Sequence, residues 1–323
     1  MKLPRRAFLQ SAAGAAALLA TARTASALDY PARPVRIVVP FAAGNVPDIV
    51  ARLIAQSLST RLAQQFIVEN RPGAAGNIGT ESVVRAPADG YTLLVVTSTN
   101  ATNATFYDNL AFDLLRDVAP VASTFRSSNV LAVNMAVPAK TLPEFIGYAK
   151  ANPGKINYAS AGTGSAPNVA GELFKTMAGV DLVHVPYRGS FISDLVGGQV
   201  QAAFTPIGTA AEQIKAGMLR ALAVTGATRS DALPDVPAVA EFVPGYQAYI
   251  WDGIGAPKGT PTEIIDKLNH EIGAVLSDAD MKARLAVLGA EPMRMTPVEF
   301  GTHIAAEVEK WGKVIRAAKM KPE

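Results

Sequence analysis

The sequence predicts an α/β fold in two lobes hinged over a cleft, and three observations predict it. Short apolar runs alternate with amphipathic helical stretches in one group over residues 35–96 and in a second over residues 142–224. That alternation is the pattern of a parallel sheet covered on both faces. Two extended crossings, at 118–133 and 248–256, join the groups. The chain also has 323 residues, 49% of them hydrophobic and 18% charged, enough for a large core and more than one lobe usually holds. In such folds ligands bind at the carboxyl ends of strands, so the loops leaving those ends form the candidate site.

Residues 1–27 stand outside this fold. Pro4-Arg5-Arg6-Ala7-Phe8-Leu9-Gln10 carries a twin arginine followed by Phe-Leu, residues 11–22 are apolar, and Ala25-Ser26-Ala27 is a small-residue cleavage site. Those are the three parts of an export signal, and an apolar run of about a dozen residues is too short to cross a bilayer of ~30 Å. The mature chain is expected to begin at Leu28. The leader holds Lys2, Arg5, Arg6 and Arg23 and no acid, so 30 basic and 27 acidic residues become 26 and 27 without it. The net charge of +3 belongs to the leader, and no nucleic-acid partner is implied. The chain has no cysteine, which excludes disulfides, thiolate metal sites and a cysteine nucleophile.

In chain order, the apolar run 35–40 leads through loop 41–48 into a helix, where Ile49, Val50, Leu53, Ile54 and Leu58 recur at three- and four-residue spacing. A second strand is expected at 65–69, a glycine-rich entry at 71–79 to a helix ending near Arg85, and a third strand at 91–96 closing in loop 97–100. Residues 106–120 are mixed and expected to be irregular, and the apolar runs 118–124 and 130–133 carry the chain onward. The second group reads as helix 142–151, strand 155–159, strand 182–185, loop 187–190, strand 198–204, helix 210–215 and strand 219–224. Pro234, Pro237 and Pro244 keep 229–245 from regular structure. The return crossing 248–256 then leads to helices at 261–276, 281–288 and 297–318. Lobe 1 is accordingly expected at 28–125 and 250–323, and lobe 2 at 126–249.

The stretch 157–177 is a strand, a hydroxyl-rich glycine turn and a helix. Gly162 and Gly164 allow a tight bend, Ser165 suits the helix cap, and Pro167 sits in the first turn, where a missing N–H costs nothing. Free N–H groups and the helix dipole converge there beside the hydroxyls of Ser160, Thr163 and Ser165, a point that attracts a carboxylate or phosphate. An ordinary capped turn has the same signature. The loop with Phe41, Ala43, Gly44, Asn45 and Asp48 repeats the plan in the first group, with Asp48 suited equally to orienting its loop. Thr97 and Ser98, and Arg188 with Gly189, complete four loops, two from each group. Arg188 is the guanidinium near them, able to pair with an anion or to stay solvated. Trp251, on the return crossing, fits the cleft wall or the hinge.

Catalytic patterns are weak. His184, His270 and His303 have no metal-ligand spacing, Gly164-Ser165-Ala166 is no nucleophile elbow, and Gly73, Gly76 and Gly79 lack the dinucleotide fingerprint. No catalytic residue, metal or cofactor is expected.

Several blocks together carry a resemblance. Pro40-Phe41-x-x-Gly44-x-x-x-Asp48, Glu69-Asn70-Arg71-Pro72-Gly73-x-x-Gly76-Asn77-Ile78-Gly79, Asp89-Gly90-Tyr91-Thr92-Leu93, Asn157-Tyr158-Ala159-Ser160-x-Gly162-x-Gly164-Ser165 and Val185-Pro186-Tyr187-Arg188-Gly189 are five of them. Leu219-Arg220-Ala221-Leu222-Ala223-Val224-Thr225, Pro234-Asp235-Val236-Pro237 and Ala256-Pro257-x-Gly259-Thr260-Pro261 follow in the same order. The mature chain resembles the Bug-type (TctC-like) substrate-binding receptors of tripartite tricarboxylate transporters. The resemblance implies a type II periplasmic binding-protein fold (a Venus flytrap) with a hinge of two crossing strands. It implies a monomeric periplasmic receptor that closes on a di- or tricarboxylate, an acidic amino acid or an aromatic acid, held by loop amides, hydroxyls and water, and delivers it to membrane permease subunits. A sensor feeding a membrane kinase and a periplasmic enzyme using His184 as base are the other readings. The chain departs from the family at Asn45, where a second glycine is usual, and at Phe204-Thr205, where Phe-Asp is common. Both are expected to bear on which acid is bound.

Overall fold

The computed structural model describes residues 29–187 and 189–322. The expected export signal and Arg188 lie outside the described residues. The first unit runs β1 (Val35–Val39), α1 (Val46–Leu62), β2 (Phe66–Asn70), a 3₁₀ turn (Ala74–Gly76), α2 (Asn77–Val84), β3 (Thr92–Thr97), α3 (Ser98–Phe106) and the single turn α4 (Leu114–Asp117). A long strand β4 (Val118–Asn134) leads to α5 (Leu142–Ala151), β5 (Asn157–Ser160), α6 (Ala166–Ala178), β6 (Val183–Pro186), α7 (Ile192–Val196), β7 (Ala202–Pro206), α8 (Ile207–Lys215) and β8 (Leu219–Val224). The chain returns through β9 (Tyr249–Pro257) to α9 (Thr262–Ser277), α10 (Ala279–Val287), β10 (Ala290–Pro292) and α11 (Pro297–Ala317).

The strands lie in the order β2-β1-β3-β9-β4-β7-β5-β6, with β8 and β10 also paired to β4. β1 is parallel to β2 and β3, and β5 is parallel to β6 and β7. Their carboxyl ends therefore release the loops expected to form the site. β4 connects the two sets. Its residues 118–128 pair antiparallel with β9, and its residues 129–134 pair with β7 and β8. β9 pairs with β3 on its other edge.

The apolar residues sort by face. Val35, Ile37, Val39, Leu93 and Phe125 meet Ile54 and Leu58 of α1 and Leu268 of α9 in one cluster. Val130, Ala132, Ala159 and Ala203 meet Phe191, Leu195 and Ile207 in another. A third holds Val38, Leu94 and Val96 together with Leu131, Tyr158, Phe174, Trp251 and Trp311, so apolar packing is continuous between the lobes. At the crossing, Thr225 binds both connecting segments. Its Oγ1 accepts from Asn129 N–H at 2.9 Å and donates to the Ala248 carbonyl at 2.6 Å, and its own carbonyl accepts from Ala248 N–H at 2.8 Å.

Four local expectations change. Loop 97–100 opens α3. The two apolar runs at 118–124 and 130–133 are one strand, kept continuous by register shifts near Pro120 and Ser123. The expected strand at 198–204 begins only at Ala202, after the short helix α7. Residues 106–120 hold the last residue of α3, the turn α4 and the start of β4.

Candidate functional site

Loop 41–48 is held by a charged network turned away from solvent. Asn45 caps α1, its Oδ1 accepting Asp48 N–H at 3.0 Å, and Pro47 occupies the first turn. The Asp48 carboxylate is 2% exposed. It accepts from Gly44 N–H at 2.9 Å, from Asn70 Nδ2 at 2.8 Å and from Arg52 Nε at 3.1 Å. Asn70 also donates to the Phe41 carbonyl at 3.1 Å, and Arg52 donates to Asn70 Oδ1 at 2.8 Å. Burial works against the charged form of Asp48, but the hydrogen bonds from Arg52, Gly44 and Asn70 and the Arg52 charge hold its pKa below the usual carboxylate value. With Asp48 and Asn45 occupied inside the loop, Ala43 and Gly44 are left exposed and Phe41 half-buried. The backbone is the part of this loop left open to solvent.

A second set of contacts props the loop from behind. A Cβ on Gly79 would stand 2.7 Å from the Arg71 carbonyl and 2.8 Å from Pro40 Cα, so only glycine lets α2 pack this close to the end of β1. Thr97 and Ser98 are each 3% exposed. Thr97 donates through N–H (2.8 Å) and Oγ1 (3.1 Å) to Asn100 Oδ1, whose amide continues to Thr80 Oγ1 at 2.8 Å and thence to the Gly76 carbonyl at 2.9 Å. This buried polar chain fixes the start of α3 beside loop 41–48.

The second-lobe turn is braced by hydroxyls, an amide and an imidazole. Ser165 Oγ donates to the Gly162 carbonyl at 2.6 Å and accepts Asn168 N–H at 3.4 Å, capping α6. Asn168 Oδ1 accepts Gly164 N–H at 3.0 Å, and its amide donates to Tyr158 Oη at 2.9 Å. Ser160 is fully buried, with Oγ 3.2 Å from the Gly162 carbonyl and 2.7 Å from His184 Nε2. Gly162 (φ +106°) and Gly164 (φ +79°) take the backbone sign that only glycine adopts freely. Thr163, between them, is half-buried, and Gly189 is exposed. The Ser160 and Ser165 hydroxyls donate inward and the Gly164, Ser165 and Asn168 N–H groups are bonded within the turn, so the positive end of the α6 dipole is what attracts an anion here.

The lobes meet at this turn. A Cβ on Gly164 would stand 2.9 Å from the ring of Phe106, the last residue of α3. Gly162 lies against the Tyr187 carbonyl, and Tyr187 N–H donates to the Ser160 carbonyl at 3.1 Å, joining loop 187–190 to the turn. Thr205, at the carboxyl end of β7, is fully buried and its hydroxyl has no partner among the described residues. Trp251 packs at the hinge. It is fully buried, lies edge-on to Phe300 at 5.8 Å, and donates to Glu307 Oε2 at 3.0 Å. Beside it on β9, Asp252 is 1% exposed, neither carboxylate oxygen has a partner among the described residues, and burial raises its pKa well above the usual value. The space of about 170 Å³ between Asp252, Thr124 and residues 47–54 of α1 admits no water-sized sphere.

Reading the sequence by itself missed Arg52, Asn70, Phe106 and Asn168. Asn70 stands in the Glu69-Asn70-Arg71-Pro72-Gly73 block, and Asn168 stands three residues after the capping serine, where a residue that closes on its own turn is favoured. Arg52 stands four residues after Asp48 on α1, the helical ion-pair spacing, while no local pattern marks Phe106.

The model of the tripartite tricarboxylate transporter family receptor matches residues 50–320. Protein BugT of Bordetella pertussis is 36% identical over 303 residues, covering 92% of this chain and 93% of that protein. Among solved structures, the R. palustris protein Rpa4515 with adipate is 38% identical with a TM-score of 0.79, over 91% of this chain and 100% of that one. MatC from Rhodopseudomonas palustris with bound malate is 33% identical with a TM-score of 0.75, over 88% of this chain and 100% of that one.

Proposed function

This chain belongs to the tripartite tricarboxylate transporter receptor family, and from that premise we propose that it is a periplasmic receptor for a small organic carboxylate. The acid is bound between the lobes, undergoes no chemistry, and passes to the membrane permease subunits of a tripartite transporter. The observation that carries this reading is the pair of glycine turns, one per lobe, that close their side chains inward and present backbone at helix N-termini. The adipate and malate in the structures of the two R. palustris proteins support a carboxylate as the ligand. On this reading Ala43 and Gly44 on one side, and Gly162, Thr163, Gly164 and Ser165 on the other, grip the carboxylate. Phe41, Thr97, Ser98, Arg188 and Gly189 wall it. Asp48 and Ser160 hold the two loops in shape, and Asn45 and Thr205 influence which acid fits.

The boundaries that go with this reading are 28–125 and 250–323 for lobe 1 and 126–249 for lobe 2. The change of partner along β4 between Ser128 and Asn129 supports a boundary inside that strand. Export by the twin-arginine leader would place the receptor in the periplasm, and no described helix is long and apolar enough to cross a membrane. The 2.7 Å contact between Ser160 and His184 invites a hydrolase reading. The Ser160 hydroxyl is also taken up by the Gly162 carbonyl at 3.2 Å inside its own turn, and on this reading the contact is a brace.

Thermal-shift screening of the mature chain against organic acids tests the proposal. At 100 times the Kd, a bound acid stabilises by about 2.7 kcal/mol. Stabilisation by at least one carboxylate, without its consumption, is expected. No shift with any acid, or turnover of one, would overturn it.

A further inference from the structure

Asn129 is the first β4 residue paired with the second lobe, and it is buried to 1% exposure. Its backbone is satisfied on both sides by Thr225, at 2.9 Å each way. Its side-chain Oδ1 is buried with no hydrogen-bond partner among the described residues. A buried acceptor without a donor is costly, and natural structures keep few of them.

The strand register locates this amide. Side chains alternate along β4, so Asn129 shares a face with Leu131 and Val133, which pack with Tyr158, Phe174 and Phe204 beneath α6. Leu131 pairs with Phe204, whose ring would stand 3.1 Å from a Cβ on Gly171 of α6. Asn129 pairs with Pro206, two residues further toward the carboxyl end of β7. Two strand residues advance ~6.6 Å, the rise of about four helical residues. That brings Asn129 from the level of Gly171 to the first turn of α6, where the carboxylate grip is placed. Asn45, the other amide considered for reading the ligand, already spends its Oδ1 on Asp48 N–H.

We propose that Asn129 Oδ1 is a ligand subsite that accepts a hydrogen bond from a hydroxyl on the bound acid, making the receptor selective for hydroxy acids over unsubstituted diacids. The inference rests on the carboxylate-receptor reading and adds the feature of the acid that is recognised. A free acceptor attracts a donor and repels a second carboxylate. A site built around a ligand hydroxyl rejects the analogue that lacks it, because the protein group is then left buried and unpaired.

Malate and succinate differ by one hydroxyl, and calorimetric titration of the mature chain with each decides the matter. Malate is expected to bind at least about tenfold more tightly than succinate. Asn129→Leu, of nearly the same shape, is expected to bring the two within about threefold, chiefly by weakening malate. A wild-type ratio near one, or a folded variant that keeps the wild-type ratio, would overturn the proposal. The wild-type ratio decides by itself if the variant does not fold. If neither four-carbon acid binds while other carboxylates stabilise the chain, the Asn129 subsite falls and the receptor reading stands. If no carboxylate stabilises it, both fall.

Discussion

The strand-to-helix turns of the two lobes share a plan and differ in what braces them. Each follows a parallel strand, contains a positive-φ glycine, ends in a capping residue and admits proline into the first helical turn. In the first lobe the brace is ionic, with a buried carboxylate binding Gly44 N–H, Asn70 and Arg52. In the second it is built from hydroxyls, an amide and an imidazole, those of Ser160, Ser165, Asn168 and His184, around the Gly162 carbonyl and Gly164 N–H. The difference teaches that the shared element is the backbone and that the side chains fix its shape. It also makes the two turns answer differently to pH, because only the first depends directly on an ionised acid.

The largest expected effect comes from breaking the ionic brace. Asp48→Ala removes three hydrogen bonds to a buried carboxylate and frees loop 41–48. It should cost about 3 kcal/mol of stability, Arg52 being half-exposed and its share reduced accordingly, and should abolish measurable ligand binding. Urea melts with and without a stabilising acid would show both, and a folded variant with native affinity would contradict the ionic brace. Because the Asp48 pKa is lowered in the fold, its contribution is present above the ordinary carboxylate pKa of about 3.9 and is lost as pH falls below it.

Gly164→Ala attacks the second-lobe turn where the lobes touch. The methyl would meet the Phe106 ring at 2.9 Å and the backbone sits at φ +79°, so a loss of about 2 kcal/mol is expected. Phe106→Leu in the same chain should recover part of it in a double-mutant cycle. Additive effects would show that the two residues do not meet.

Asp252 offers the opposite sign from Asp48. Its raised pKa means that the folded chain holds the proton more tightly than the unfolded one, so stability falls as pH rises from about 4 toward the folded pKa. Asp252→Asn should therefore change nothing at pH 3 and stabilise by about 1 kcal/mol or more at pH 8, read from melts at both values. Equal effects at both would contradict a protonated buried acid. The smallest effect is expected of His184→Ala, which removes one support of Ser160. A few-fold loss of affinity and under about 1 kcal/mol of stability should be seen. Unchanged affinity would take His184 out of the brace.

The fold was legible because its helices and strands carry their own periodicity. Ile49 to Leu58 along α1, and the apolar runs of β1, β3 and β8, announce themselves whatever they later touch. α3 did not. Ser98-Thr99-Asn100-Ala101-Thr102-Asn103 is made of residues that favour caps and turns, and it is helical because Asn100 and Asn103 find partners in Thr80, Asn77 and Ala75, far away in sequence. β4 was split for a similar reason. Its polar stretch Ser127-Ser128-Asn129 looks like a loop but is held by pairing, Ser127 with β9 and β10, Ser128 with β9 and Asn129 with β7. In the site, glycine, proline and serine marked both turns, while the braces were hidden because they link positions more than twenty residues apart, Asp48 to Asn70 and Ser160 to His184.

The most direct test of a grip shared by the backbone of both lobes is an amide ¹H–¹⁵N titration of the mature chain with the acid that stabilises it most. Saturable shifts are expected at one-to-one stoichiometry, concentrated at Ala43 and Gly44 in the first lobe and at Thr163, Gly164 and Ser165 in the second. Shifts confined to one lobe, or centred away from both turns, would contradict the account.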